Sequence, residues 1–193
     1  MTWPGVATVI LLTHAVSLCL PLLSEFLQLM LAPVRRRGPG QPDGEAEYQR
    51  LLFLIPAHDE EVLVESCVES VLRIDYPADR FDVILIADNC HDATATIAAS
   101  RGATILERHE PENPGKPAAL AWAIQQIDIG AYDACVILDA DSVVDTGFAL
   151  ALADSRPLRN RAVQTYFGLS NEWDTWLTRL AGVLARVRYE VTY

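Results

Sequence analysis

Two carboxylates separated by a single residue carry the sharpest chemical signal of the sequence. Asp139 and Asp141 follow the apolar run ACVIL at 134–138, a run that is typical of a buried strand. Carboxylate oxygens suit a hard divalent cation, and such a cation neutralises the charge that builds up on a leaving diphosphate. The alternative is a solvated acidic turn that merely caps a helix. The position of the pair directly after a strand favours the metal site.

A third acidic residue, Asp88, follows the apolar run FDVILIA at 81–87. A carboxylate at this point can accept hydrogen bonds from a nucleobase or a ribose. Cys90 and His91 come next, but no further His or Cys lies at the spacing of a zinc site, so the sequence does not favour a metal there. Asp92 is predicted to cap the following helix, which is a structural role.

The segment GKPAAL at 115–120 opens a predicted helix. Gly115 lets the backbone approach a ligand closely, Lys116 supplies a positive charge, and the N-terminus of a helix favours anions. The segment is not a Walker loop, because the GxxxxGK[ST] spacing is absent. An anion site and an ordinary helix start with a solvated lysine both fit this segment taken alone.

From Leu51 onward, short apolar runs alternate with helical patterns. The predicted strands cover 51–56, 81–87, 103–106, 134–138 and 161–167. The predicted helices cover 60–73 with Asp59 as N-cap, a segment that begins near Asp92, 117–127, and a C-terminal segment that starts at Trp173 and reaches Tyr193. This alternation predicts right-handed crossovers and a largely parallel sheet, an α/β nucleotide-binding architecture. Ligands of such sheets bind at the carboxyl ends of the strands, where the polar residues at 57–60, 88–89 and 139–141 would meet.

Composition excludes several classes of protein. The 193 residues include 15 basic and 26 acidic side chains, and the net charge of −11 argues against a nucleic-acid binder, which needs a basic face. Hydrophobic residues at 51% and charged residues at 21% rule out a disordered chain. The four cysteines show no CxxC pairing and no secreted-scaffold density, which favours a reduced compartment.

The N-terminal segment is long and apolar. Residues 2–24 carry no formal charge and would span roughly 35 Å as a helix, enough for the ~30 Å hydrocarbon layer of a membrane. Three arginines at 35–37 lie on its C-terminal side, so the positive-inside rule places the following domain in the cytosol. A signal peptide, which would need basic residues before the apolar run, and a helix buried against the domain are the alternatives. We expect a single-pass transmembrane anchor over 1–34, then a basic and Gly/Pro-rich linker over 35–48.

Four motifs occur in a fixed order: IPAHDEE at 55–61, ADNCHDAT at 87–94, GKPAAL at 115–120 and LDADS at 138–142. Together they resemble the inverting, membrane-associated family 2 glycosyltransferases, the group that includes cellulose and hyaluronan synthases. The resemblance implies a GT-A fold, a nucleotide-diphosphate sugar as donor, a UDP-sugar above all, and Mg²⁺ or Mn²⁺ bound at the DxD motif. It further implies a role for each matching residue: Ala57 and Glu60 line the nucleoside pocket, Asp88 contacts the base or ribose, Lys116 faces the nucleotide, Asp139 contacts the donor, and Asp141 holds the metal.

The sequence also departs from the family pattern. Family members carry a later acidic motif, often ED or TED, which supplies the general base, and processive members carry QxxRW; neither is visible here. Glu172 lacks the flanking pattern, so the general base remains unassigned. We expect a nucleotide-sugar-binding domain over 49–170 and an amphipathic helix over 171–193 that begins an incomplete remainder, so that the chain is a donor-binding half with an unknown acceptor.

Two other functions remain open on the sequence alone. The missing acidic motif also fits a non-catalytic, membrane-anchored nucleotide-binding or regulatory protein. A nucleotidyltransferase is less favoured, because IPAHDEE has neither a glycine nor a basic residue after the first strand.

Overall fold

The structure is a computed structural model that describes residues 48–154, 158, 161–165 and 167–192, together with the separate positions 5, 13, 16, 17, 19, 20 and 23. The chain divides into two compact units, one of residues Gly38–Ala162 and one of Met1–Arg37 with Val163–Tyr193. Most of the predicted anchor over 1–34, and the predicted linker over 35–48 up to residue 47, lie outside the described residues.

The larger unit is built on a four-stranded parallel sheet. Its strands are β1 (Leu51–Ala57), β2 (Phe81–Asp88), β3 (Thr104–Arg108) and β4 (Ala134–Ile137), in the spatial order β3-β2-β1-β4. Leu51 is paired with the first residue of β2 on one side and with the first residue of β4 on the other. The largely parallel α/β sheet predicted from the sequence is therefore confirmed.

Four helices connect and cover these strands: α1 (Val64–Leu72), α2 (Thr94–Arg101), α3 (Lys116–Gln126) and α4 (Phe148–Asp154). Short 3₁₀ turns lie at Ala78–Arg80 and Ile129–Ala131. Successive residues of β1 point to opposite faces of the sheet. On one face, Leu51, Phe53 and Ile55 pack in a hydrophobic core with side chains of α1, α2 and α4. On the other face, Leu52 and Leu54 pack in a second hydrophobic core that includes Leu120 of α3. Both faces of the central strands β1 and β2 are covered, which explains why these two strands are largely continuous apolar runs.

The direction of the crossovers changes at β1. The chain moves from β1 to β2 to β3 with α1 and α2 on one face, then returns past β1 to β4 with α3 on the other face. Right-handed crossovers require the helices to change faces when the chain changes direction across the sheet. The carboxyl ends of β1 and β4 therefore form a topological switch point, where the strands leave room for a ligand.

Two sequence expectations about local structure are wrong. Helix α1 begins at Val64 rather than at residue 60, and Asp59 does not cap it: Asp59 has a left-handed backbone (φ 53°), and its Oδ1 accepts a hydrogen bond from the amide of His91 at 2.6 Å. A contact between two loops that are distant in sequence replaces the local cap. The strand expected over 161–167 is also missing from its described residues 161–165 and 167, where Val163 and Phe167 are exposed and have no neighbouring strand to pack beside.

In the smaller unit the described chain ends in α5 (Trp176–Thr192). The large apolar side chains of its first turns and of the preceding turn are exposed, namely Trp173, Trp176, Leu177, Leu180 and Val183. The guanidinium of Arg179 lies over the Trp173 ring, 5.3 Å from its centroid. Within the part of the chain that the structure describes, no helix combines the length and the apolar character needed to cross a bilayer.

Candidate functional site

An open cavity of about 290 Å³ lies at the carboxyl ends of β1 and β2. Its wall includes four of the six residues to which the sequence assigned a site role: Ala57, Glu60, Asp88 and Lys116. Ala57 ends β1, Glu60 lies in the loop after it, Asp88 ends β2, and Lys116 begins α3. The sheet thus brings together residues that are up to 59 positions apart in sequence (116 − 57).

The carboxylate of Asp88 is buried in the wall of this cavity and has all its oxygens in use. Oδ1 accepts hydrogen bonds from Arg108 Nη1 at 2.5 Å and from Asn89 Nδ2 at 3.0 Å, and Oδ2 accepts one from the amide of Gly115 at 3.0 Å. Asp88 therefore fixes the loop from which α3 starts. A contact of Asp88 with a base or a ribose stays a prediction.

Arg108 is a site residue that the sequence analysis missed. It is the last residue of β3, stands opposite Asp88 in the strand register, and its side chain is 1% exposed. Its Nη2 donates to Glu110 Oε2 and to the carbonyl of Asn113, both at 2.8 Å, and the hydrogen bond with Asp88 raises the pKa of Arg108. The available signal was an arginine at the end of the run TILER, on the sheet edge where the neighbouring strand ends in an aspartate.

His58 also lies in the cavity wall. Its Nδ1 is 2.7 Å from the carbonyl oxygen of Asp88. Because a carbonyl can only accept, Nδ1 carries the proton and Nε2 of the neutral ring is left as an acceptor. Nε2 is 3.9 Å from Asp59 Oδ2, too far for a hydrogen bond, so this nitrogen is available to a ligand.

Gly115 and Lys116 form the opposite wall. Gly115 has φ +107° and ψ 160°, a conformation that is essentially restricted to glycine, and no atom lies within 4 Å of the place where a Cβ would be. Lys116, the first residue of α3, is the only lysine among the 15 basic residues of the chain. Its Nζ forms an ion pair with Oδ1 of Asp139 at the end of β4.

The acidic pair itself lies next to the cavity rather than in its wall. The side chain of Asp139 is 58% exposed, and the exposed Asp141 accepts a hydrogen bond from Ser142 Oγ at 3.3 Å. Burial, together with the charges of Asp141 and Asp139, raises the pKa of the Cys67 thiol to about 12. Asp139 and Asp141 are exposed and one residue apart, and their carboxylate oxygens are donors of the kind that suits Mg²⁺ or Mn²⁺.

A second group of polar side chains lies in the loops that follow β1 and β2. One ligand atom each from Asp59, Cys90 and Asp92 falls within 4.8 Å of the others. Both carboxylates already accept hydrogen bonds from backbone amides: Asp59 Oδ1 accepts one from the amide of His91, and Asp92 Oδ2 accepts one from the amide of Glu61 at 3.1 Å. These bonds tie the loops after β1 and β2 together, which is a structural role.

Comparison with known proteins identifies the family. Residues 49–192 match the model described as Glycosyltransferase like family 2. The chain belongs to the family 2 glycosyltransferases. At the level of the family, the resemblance inferred from the four ordered motifs is thereby confirmed.

Among curated relatives of this glycosyltransferase, Putative cellulose synthase 2 of Komagataeibacter xylinus is 33% identical over 145 residues, which is 75% of this chain but 9% of the relative. Probable glycosyltransferase YdaM of Bacillus subtilis (strain 168) is 25% identical over 156 residues, 77% of this chain and 36% of the relative. The chain thus spans about a tenth and about a third of the lengths of these two proteins.

Among solved structures, the mannosyltransferase PcManGT from Pyrobaculum calidifontis, in complex with GDP-Man and Mn²⁺, superposes with a TM-score of 0.58. The match covers 76% of this chain and 43% of that protein at 22% sequence identity. At this identity the likeness shows the fold, and it agrees with the GT-A-like arrangement of a parallel sheet and flanking helices.

Proposed function

We propose that this chain forms the donor-binding part of an enzyme that transfers a sugar from a nucleotide-diphosphate sugar, of the UDP type, to an acceptor. One observation carries the proposal: the cavity at the carboxyl ends of β1 and β2 is walled by Ala57, Glu60, Asp88 and Lys116, and the Lys116–Asp139 ion pair joins it to the acidic pair that follows β4. The part of the cavity wall that contains Ala57, Glu60 and Asp88 suits a nucleoside, and the part that contains Lys116 suits a diphosphate.

The phosphate end is defined by α3. The first turn of this helix carries the positive end of its dipole, and Lys116 adds a full charge at the same point. The empty space beside Gly115 lets a phosphate group approach the backbone without meeting a side chain. Asp88 holds the amide of Gly115 and so fixes the direction from which that approach occurs.

The proposed metal ligands are Asp141 and Asp139. When bound, a Mg²⁺ or Mn²⁺ ion would neutralise negative charge on the diphosphate as it leaves. The lysine ammonium already neutralises part of the Asp139 charge, so Lys116 and a bound cation would share this carboxylate. The structure of PcManGT contains both GDP-Man and Mn²⁺, which supports metal use in this fold and makes GDP the natural competitor to UDP in a test.

In the transfer step, an acceptor hydroxyl oxygen forms a bond to the anomeric carbon while the bond from that carbon to the diphosphate oxygen breaks. The electron pair leaves with the nucleoside diphosphate, and the acceptor proton passes to a general base. Glu172 is not assigned this role, because it lacks the flanking pattern of the family's acidic motif. The residues of the cavity bind and orient the donor.

We also propose that the chain is anchored in a membrane by residues 1–34, with the glycosyltransferase domain on the cytoplasmic side. The uncharged run at 2–24 and the arginines at 35–37 support this, as do the exposed Trp173 and Trp176 in the smaller unit. Membranes from cells that express the chain should retain it after extraction at alkaline pH. Release into the supernatant would contradict the anchor.

The single lysine gives a direct test of where the nucleotide binds. The full chain is treated with an acetylating reagent, and the modification of Lys116 is followed by mass spectrometry, with the N-terminal amine as internal reference. We expect UDP with Mn²⁺ to slow acetylation of Lys116 about tenfold, as bound ligand at ten times its Kd would, and GDP with Mn²⁺ to protect less. Asp141→Asn should abolish the protection. Equal rates with and without saturating UDP and Mn²⁺ would contradict the proposal.

A further inference from the structure

The loop that carries the acidic pair is hydrogen-bonded to side chains of α1. We call residues 138–146, which include Asp139 and Asp141, the acidic loop. At its start, the amide of Leu138 donates to the carbonyl of Leu54 at 3.0 Å and continues the β1–β4 ladder. Beyond that point Ala140 is buried, at 4% exposure, while the two carboxylates on either side of it face solvent.

Two side chains of α1 contact the acidic loop on either side of the carboxylates. The amide of Val144 donates to Ser70 Oγ at 3.1 Å, and the thiol of Cys67 donates to the carbonyl of Asp139 at 3.5 Å. Just beyond α1, the amide of Asp75 donates to the carbonyl of Thr146 at 2.7 Å. The loop is therefore attached to α1 and the residues after it at three places.

The hydroxyl of Ser70 is fixed in direction by a second bond. It donates to the carbonyl of Cys67, three residues earlier in α1, at 2.7 Å. With its proton used in this way, the oxygen presents a lone pair to the amide of Val144. Val144 is half-buried and packs against the main core, so an amide without this acceptor would be left unsatisfied.

We propose that Ser70 is a positioning residue that sets the geometry of Asp139 and Asp141 for a divalent cation, with Cys67 as its second support; this inference rests on the proposed function. A metal site needs its ligands within about 0.5 Å of the productive geometry. Groups that orient metal ligands without touching the metal typically change its affinity about 10- to 100-fold. Ser70 acts on the acidic pair through the backbone of the loop and does not itself contact a ligand.

Ser100 on α2 provides a matched control. Its hydroxyl donates to the carbonyl of Ile97, also three residues earlier and also at 2.7 Å. Unlike Ser70, it accepts no hydrogen bond from another element within the described part of the chain. Substitution of either serine by alanine removes the same local helix bond, and only Ser70→Ala removes the bond to the acidic loop.

The experiment compares the full-length wild type with Ser70→Ala, Ser100→Ala and the conservative Ser70→Thr. Hydrogen exchange of the Val144 amide is measured without metal, and Mn²⁺ affinity is measured by calorimetry. We expect Ser70→Ala to speed exchange at Val144 and to weaken Mn²⁺ binding about tenfold. Ser100→Ala should change neither quantity, and Ser70→Thr, which keeps the hydroxyl, should restore both towards wild type.

Unchanged exchange at Val144 in Ser70→Ala would overturn the inference, and so would faster exchange with wild-type Mn²⁺ affinity. If Ser70→Ala does not fold, Ser70→Cys, which keeps the size but offers only a weak sulfur acceptor, gives the same comparison. A wild-type chain that binds no Mn²⁺ contradicts the proposed function instead. In that case a role of Ser70 in metal binding is also contradicted, while hydrogen exchange at the Val144 amide still shows whether Ser70 holds the loop.

Discussion

The amine of Lys116 and the carboxylate of Asp139 form an ion pair that joins the first residue of α3 to the end of β4. Both side chains are substantially exposed, at 45% and 58%, so the pair contributes little to the stability of the fold. Its importance lies in its position between the cavity and the acidic pair. Because the proposed metal site would use the same carboxylate as the lysine, nucleotide and metal binding are expected to be coupled through it.

Substitution of the lysine tests that coupling. Lys116→Met should weaken UDP binding in the presence of Mn²⁺ about tenfold, because a charge-assisted hydrogen bond to phosphate is lost. Binding of Mn²⁺ alone should not weaken, since Asp139 is freed from its partner. Isothermal calorimetry measures both quantities, with Lys116→Arg as the charge-conserving control. Wild-type UDP affinity in Lys116→Met would show that the lysine does not face the nucleotide.

Removal of the buried arginine should destabilise the larger unit. Arg108→Met leaves the carboxylate of Asp88 buried without its cation and the carbonyl of Asn113 without its donor. Breaking one partner of a buried ion pair is strongly destabilising, so we expect the urea midpoint to fall by about 1 M or more.

Arg73 provides the comparison for that experiment. It pairs with Glu69 one helical turn away, but its side chain is 71% exposed. Arg73→Met should leave the urea midpoint close to wild type, because exposed ion pairs contribute little. A similar fall in the urea midpoint of both variants would mean that the Arg108 network contributes no more to stability than an exposed ion pair.

The backbone of Gly115 can be tested separately from its surroundings. Gly115→Ala forces a residue with a Cβ into φ +107°, ψ 160°, at a cost of about 1–3 kcal/mol, and should also weaken UDP binding. Gly102→Ala is the matched control, because Gly102 has φ +104° at the end of α2, away from the cavity. Gly102→Ala should lower the free energy of unfolding but leave the UDP affinity of the folded protein unchanged. Loss of UDP affinity in both variants would point to general destabilisation.

Asp92 should contribute to the pH dependence of stability. Burial raises the pKa of its carboxyl, but hydrogen bonds from the hydroxyl and amide of Thr94 and from the amide of Glu61 outweigh that effect and bring the pKa below its ordinary value of 3.8. A carboxyl with a lowered pKa in the folded state stabilises the protein above its unfolded pKa, and this contribution is lost as the pH falls through the folded value.

The stability difference between wild type and Asp92→Asn should therefore be full at pH 5–7 and shrink below about pH 4. Denaturant midpoints at a series of pH values measure it. Asp79→Asn, at a side chain that is 83% exposed, gives the effect of removing a surface charge. A difference for Asp92→Asn that stays constant down to pH 3 would contradict the assignment.

Strands β1 and β2 could be predicted because each contains a continuous apolar run covered on both faces. The runs that became β1, β2 and β4 also place Ala57, Asp88 and Asp139 at strand ends, so the location of the site followed from local pattern and the rule for parallel sheets.

What the sequence did not reveal depends on contacts between distant segments. Arg108 faces Asp88 because β3 pairs with β2 in a particular register, and nothing local to either strand specifies that register. Asp59 was a good local N-cap, but a bond to His91 across 32 positions determines its conformation. The residues around Val163 fitted a strand by composition, but in the described positions 161–165 and 167 they form none, and Val163 and Phe167 are exposed.

The most direct test of the central claim is calorimetry of UDP binding to the full chain, with and without Mn²⁺, in wild type and Asp141→Asn. We expect binding that requires Mn²⁺ and is lost in the variant, since Asp141 would hold the cation that meets the diphosphate. Binding of equal strength without Mn²⁺, or binding that survives in Asp141→Asn, would contradict it.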